Sequence, residues 1–205
     1  MMNFLKKIFS SLNNKSDMNK YLILGIGNIG SEYDDTRHNI GFEIVDQLSQ
    51  NLDTKFESVK LAQRAEGSFK GKKIIIIKPN NYVNNSGRSL LYWQKKEKVS
   101  LENILVVCDD LNLFFGNIKI KPNGTSGGHN GLKDIQNTLQ TTAYPRFRFG
   151  INDAFSKGRQ IDYVLGEWTT EENTQLQERL ETGAKAIESF GLAGINNTMN
   201  TFNGT

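Results

Sequence analysis

Ile104-Leu105-Val106-Val107-Cys108 runs without a break into Asp109-Asp110, and this stretch decides the fold class. Five consecutive apolar residues leave no polar face, so the segment reads as a strand covered on both sides, as in a sheet sandwiched by helices. Tyr21 to Ile26 and Ile74 to Ile77 have the same character. Helical patterns lie between these runs. Thr36 is placed to cap a helix carrying Ile40, Ile44, Val45 and Leu48 on one side, and Leu132, Ile135 and Leu139 fit a second helix opening near Asn130. The acidic stretch Glu171 to Phe190 predicts a third, while Lys119 to Lys121 and Phe147 to Ile151 predict shorter strands. The alternation predicts an α/β domain: a mixed, mostly parallel twisted sheet with helices on both faces.

The chain has 205 residues, 37% of them hydrophobic, which suits one domain over residues 18–205. Residues 1–17 read as a flexible extension ahead of the first strand. A lone cysteine, Cys108, has no partner for an internal disulfide, and no apolar run is long enough to span a bilayer. A reducing, cytoplasmic setting without membrane attachment is therefore expected, and Asn-x-Ser/Thr triplets such as the one at Asn123 are expected to be accidental. The net charge is only +3, but it is unevenly spread. Between Asn117 and Arg148, five positive residues (Lys119, Lys121, Lys133, Arg146, Arg148) face one negative, Asp134. Such a cluster is either a solvated face or a footprint for phosphates.

Two familiar motifs fail when tested against their surroundings. Gly25-Ile26-Gly27-Asn28-Ile29-Gly30 fits the dinucleotide fingerprint, but the helix is due only near Thr36, and no acid ends a second strand some twenty residues on. A tight turn with close backbone packing accounts for these glycines. Gly124-Thr125-Ser126-Gly127-Gly128 matches a nucleophile elbow, yet the sole later histidine, His129, follows Ser126 by three residues with no carboxylate between. The order His38, Asp109, Ser126 suits a trypsin-like triad, but buried α/β strands do not suit that double barrel.

What remains is a base without a nucleophilic side chain. The chain has two histidines, His38 and His129, and each is followed by asparagine in a glycine-containing loop. Asp109 and Asp110 stand at the carboxyl end of a buried strand, where ligands bind in open α/β sheets. The loops after Tyr21–Ile26 and Ile74–Ile77 share that rim if the strands are parallel, which gathers His38, Asp109 and the amides of Asn28, Asn84 and Asn130. A carboxylate holding one imidazole nitrogen leaves the other free to deprotonate water, and neutral amides can stabilise an oxyanion. The set suits hydrolysis of an activated acyl bond such as an ester. His129, beside a glycine pair, reads as a turn-capping histidine, and Lys133 and Asp134 as a solvated helix start.

Gly25 to Gly30, Tyr33, Thr36-Arg37-His38-Asn39, Pro79 through Gly87, Asp109-Asp110-Leu111, Gly127 through Lys133 and Arg146 through Gly150 fall in an order and spacing that resembles bacterial peptidyl-tRNA hydrolase. The similarity starts near Lys20 and continues past Asp162-Tyr163-Val164-Leu165-Gly166. It implies cleavage of the ester between peptide and tRNA, recycling tRNA from aborted translation by His-activated water, with no covalent intermediate, cofactor or metal. By resemblance, His38 is the base and Asp109 orients it. Asn28 and Asn84 position the peptide end and terminal nucleotide, Asn130 serves the oxyanion or the water, and Tyr33 lines the cleft. Lys119, Lys121 and Arg148, with Arg146 adding to them, match the patch for tRNA phosphates. The resemblance also implies a monomer. Three departures stand out: Val83 where a methionine commonly precedes the motif asparagine, which bears on an apolar substrate contact or a packing role, Ile29 for a frequent proline, and Phe114-Phe115 for a proline-containing turn, which puts loop stiffness in question. The rivals are a non-catalytic RNA-binding module and, more distantly, a dinucleotide oxidoreductase.

Overall fold

The computed structural model describes residues 19–205, so the extension expected over residues 1–17 lies outside the described residues. Seven strands form one sheet in the order β2-β3-β4-β1-β5-β7-β6. They are β1 (Lys20–Gly25), β2 (Glu57–Val59), β3 (Ala62–Phe69), β4 (Lys72–Pro79), β5 (Ile104–Asp110), β6 (Ile118–Lys121) and β7 (Arg146–Gly150). The neighbours β4-β1-β5-β7 are parallel, and β2, β3 and β6 are antiparallel additions at the two edges. The five helices among the described residues are α1 (Ile40–Asn51), α2 (Ser86–Glu97), α3 (Asn130–Leu139), α4 (Gln160–Val164) and α5 (Thr170–Phe202).

Period-2 geometry sends alternate side chains of the central strands into two separate cores. Ile23, Ile74, Ile76, Leu105, Val107, Phe147 and Phe149 pack toward Ile40, Ile44 and Leu48 of α1 and Ala184, Ile187 and Phe190 of α5. Leu22, Leu24, Ile75, Ile77, Ile104, Val106 and Cys108 pack toward Leu90 and Trp93 of α2 and Leu132 and Ile135 of α3. The three apolar runs read from the sequence are the strands with a core on each side, so the α/β sandwich is as expected.

Several expectations are corrected in detail. Thr36 does not cap α1: its hydroxyl donates to the Tyr33 carbonyl at 2.7 Å, and a 3₁₀ turn over Arg37–Asn39 precedes the helix. The last helix starts at Thr170 under a capping box made by Thr169 and Glu172 and continues to Phe202, with a break at Gly194. The β2–β3 hairpin and α2 had no counterpart in the sequence reading. Asp134 is no mere solvated residue, because its Oδ2 accepts from the Gly87 amide at 2.7 Å and so satisfies the first turn of α2 from another helix.

Candidate active site

Asp109 stands at the carboxyl end of strand β5, and two imidazoles converge on it. His38 Nδ1 lies 2.8 Å and His129 Nε2 2.9 Å from the same oxygen, Oδ1. The rings are 5.2 Å apart, centre to centre. Their protons are placed by their other contacts. His129 is the N-cap of α3, and its Nδ1 accepts from the amides of Gly131 and Leu132 at 3.1 and 3.3 Å. That nitrogen is therefore bare, and the proton on Nε2 is given to Asp109. His38 gives Asp109 its Nδ1 proton, which leaves Nε2 without a partner among the described residues and able to take a proton. Burial pulls the His38 pKa down, but the adjacent Asp109 charge and hydrogen bond outweigh it, and the net shift is upward. For Asp109, burial favours the neutral acid, yet the two imidazoles reverse this and hold the carboxyl well below the usual range.

Close backbone packing brings His38 to this point. A methyl on Gly41 would collide with the Ile26 carbonyl oxygen and sit 2.6 Å from that of Val107, so only glycine lets α1 start directly on the ends of β1 and β5. Flanking residues fix the turn. The Asn39 side chain accepts from the Asn28 amide at 2.8 Å and donates to the Asn28 carbonyl at 3.1 Å, tying the turn to the glycine loop. Arg37 is buried and reaches the other way. Its guanidinium donates to the Glu167 carbonyl and to Glu172 Oε2, both at 2.6 Å, and lies 4.4 Å above the Tyr163 ring.

A pocket of about 350 Å³ opens over His38, Asp109 and His129. Asn130, Ser126 and Arg148 line it, with Phe155, Gln160 and Ile161 from the segment at α4 closing the far side. Ser126 makes no side-chain hydrogen bond to either imidazole, and the exposed amide of Asn130 makes none among the described residues. Arg148 pairs with Asp110 at 2.6 Å. The donor atoms of His38, Asp109 and His129 lie within 4.8 Å of one another, near enough for a cation, but they are spent on one another as hydrogen bonds.

A family model described as peptidyl-tRNA hydrolase matches residues 22–205. The chain belongs to the peptidyl-tRNA hydrolase family. Curated relatives of that description include one from Phocaeicola vulgatus, 48% identical over 90% of this chain and 98% of its own, and one from Porphyromonas gingivalis, 46% identical over 90% and 100%. The crystal structure of peptidyl-tRNA hydrolase from Acinetobacter baumannii is 31% identical and superposes with a TM-score of 0.85 over 91% of this chain and 95% of that one. The resemblance read from the loops is thus borne out.

Within this peptidyl-tRNA hydrolase fold, the residues singled out from sequence divide. His38, Asp109, Asn130 and Arg148 share the pocket. Asn28 stands behind it: its Oδ1 accepts from the Val83 amide at 2.9 Å, which leaves only its NH₂ group for a ligand, and it lines a second cavity. Val83 is buried in one core cluster with Ile26 and Leu132, which is the packing position of the two roles open to it. Asn84 is exposed on that loop. Tyr33 stacks edge-on with Tyr82 at 6.1 Å, outside the pocket. Lys119 and Lys121 project from edge strand β6, opposite Arg148 and Arg146 of β7. Arg146 is not part of a phosphate surface. It is 1% exposed, and its guanidinium donates to the Thr125 and Thr142 carbonyls at 2.9 and 3.0 Å. Sequence reasoning missed Arg37 and Asn39 as positioning residues, although both lie in the quoted histidine motif, and it missed the α4 wall, whose short polar segment carries no periodic signal.

Proposed function

We propose that this enzyme hydrolyses the ester joining a peptide to tRNA, with His38 Nε2 deprotonating the attacking water. The observation that carries the reading is the 2.8 Å His38–Asp109 hydrogen bond, which fixes the tautomer and points the bare nitrogen at the pocket. Attack on the ester carbonyl puts charge on its oxygen, and the Asn130 amide at the pocket mouth is the neutral donor for it, while the NH₂ of Asn28, from the neighbouring cavity, positions the peptide end. Collapse expels the ribose hydroxyl, which recovers a proton from the His38 imidazolium. No atom of the protein is acylated. Asn84 and Tyr33, on the loops above, are proposed to touch the peptide end and the terminal nucleotide, and Lys119, Lys121 and Arg148 the tRNA phosphates. We further propose that it acts as a monomer in the cytoplasm and recycles tRNA from aborted translation. The buried, unpaired Cys108 suits a reducing compartment, and no helix among the described residues is long and apolar enough to cross a membrane.

Peptide release from a peptidyl-tRNA is the test. Wild type is expected to release peptide, His38→Ala to lose roughly a hundredfold or more, and Ser126→Ala to stay near wild type. Activity surviving in His38→Ala would remove the base; loss in Ser126→Ala would point to a covalent route. Tight RNA binding without any release favours the non-catalytic RNA-binding module.

A further inference from the structure

The loop between β5 and β6 carries two adjacent phenylalanines that the fold treats differently. Phe115 is anchored edge-on against Phe149 and Trp168, with ring centres 6.0 and 5.6 Å away. Phe114 is 75% exposed. Its backbone is nevertheless pinned. Asn117 donates to the Phe114 carbonyl at 3.0 Å, Gly116 to Gly150 at 3.0 Å, and Asn152 to Leu113 at 2.8 Å, while Arg179 donates to the Gly116 carbonyl through both Nε and Nη2. The stiffness that a proline turn would supply is here supplied by hydrogen bonds and by Phe115. An apolar ring is thus held out to water on a fixed support, where folding gains nothing from it.

Its neighbours along the chain say what could cover it. Asn112, two residues before, lines the catalytic pocket. Lys119 and Lys121 stand on the strand that leaves the loop, and neither has an ion-pair partner among the described residues. A flat apolar face on a loop that runs from a pocket-lining residue to a strand with two such cations is complementary to a ligand with flat apolar bases and a phosphate backbone. We propose that Phe114 is a stacking platform for an unpaired base of the substrate's RNA part, next to the phosphate contacts at Lys119 and Lys121. This rests on the peptidyl-tRNA reading.

Phe114→Trp makes the contact visible, because the chain's own tryptophans, Trp93 and Trp168, are buried at 1% and 6% exposure. Titrated with an uncharged RNA hairpin ending in single-stranded 3′ nucleotides, this variant is expected to show quenching that a blunt hairpin of the same stem does not produce. Equal quenching by both, or none by either, overturns the proposal. In kinetics, Phe114→Ala is expected to raise KM for peptidyl-tRNA roughly 5- to 100-fold, with its dependence on salt unchanged. Phe114→Trp should restore KM and Phe114→Leu should not. Restoration by leucine would mean a plain apolar contact and would also overturn the stacking. Hairpin-specific quenching in a protein that releases no peptide would refute the hydrolase reading and leave this one standing.

Discussion

His38 and His129 share one carboxylate oxygen but carry their protons on opposite nitrogens, and only His38 keeps a lone pair facing the pocket. The pH profile should report this. A base must be unprotonated, so kcat/KM should rise with pH through the His38 pKa, which the Asp109 charge holds above the ordinary value of 6.5. Asp109→Asn removes that charge but not the burial, so the rising limb should move to lower pH while the plateau falls roughly 10²- to 10⁴-fold. A limb that stays in place would separate the limb from His38. His129→Ala should cost about 1 kcal/mol of stability through the lost helix cap, measured by denaturant titration, and should lower kcat less than Asp109→Asn does. At this scale the sequence was a good guide for residue types and a poor one for roles. The turn-capping reading of His129 was right, but that His129 also steadies Asp109 depends on a contact twenty residues apart in the chain.

Elements are set by contacts that local pattern does not carry. The His38 turn is bolted to the start of α5 by the ion pair of buried Arg37 with partly buried Glu172, and the same Glu172 oxygen accepts from the Thr169 amide in the capping box. Arg37→Met leaves that carboxylate unpaired and should cost about 3–5 kcal/mol. Melting should drop by roughly 6–20 °C, and kcat should fall because His38 loses its support. Arg37→Met/Glu172→Met should recover much of the stability; no recovery would mean the arginine acts through packing alone. Strands β1, β4 and β5 were legible because a strand covered on both faces has no polar positions. The β2–β3 hairpin was not, since β3 alternates small or polar residues, Ala62, Gln63, Arg64, Ala65, and buries little apolar surface. Helix α2 hid for a related reason: Leu90, Leu91, Tyr92 and Trp93 are bunched rather than spaced by three and four.

Across the whole molecule, charge is organised by region. Lys121→Ala should weaken substrate binding and reduce the slope of log affinity against log salt by about 1, whereas a merely solvated lysine would leave the slope alone. On the other side of the glycine loop, a cavity of about 410 Å³ holds Asp34, Asp35, Glu43 and Asp46 beside Lys78. Burial, with the charges of Asp35 and Asp46 and against the Trp168 hydrogen bond, raises the Glu43 pKa from 4.5 to about 7. The folded state therefore binds this proton more tightly than the unfolded chain, and Glu43's contribution to stability is lost as pH rises from about 4.5 to 7. Glu43→Gln should accordingly raise the melting temperature by several degrees at pH 8 and leave it unchanged near pH 4. A chelator should not change peptide release, since the hydrogen bonds of Asp109 already engage the donor atoms a cation would need. By itself, the sequence determined the sandwiched parallel strands, the loops at their carboxyl ends and the family, because apolar runs and glycine-rich motifs act over a few residues. Tertiary structure alone decided that one carboxylate serves two imidazoles, that Arg146 and Val83 are internal, and that Phe114 is outside. Each of those outcomes follows from which remote backbone or core surface lies opposite, and no local spacing encodes that.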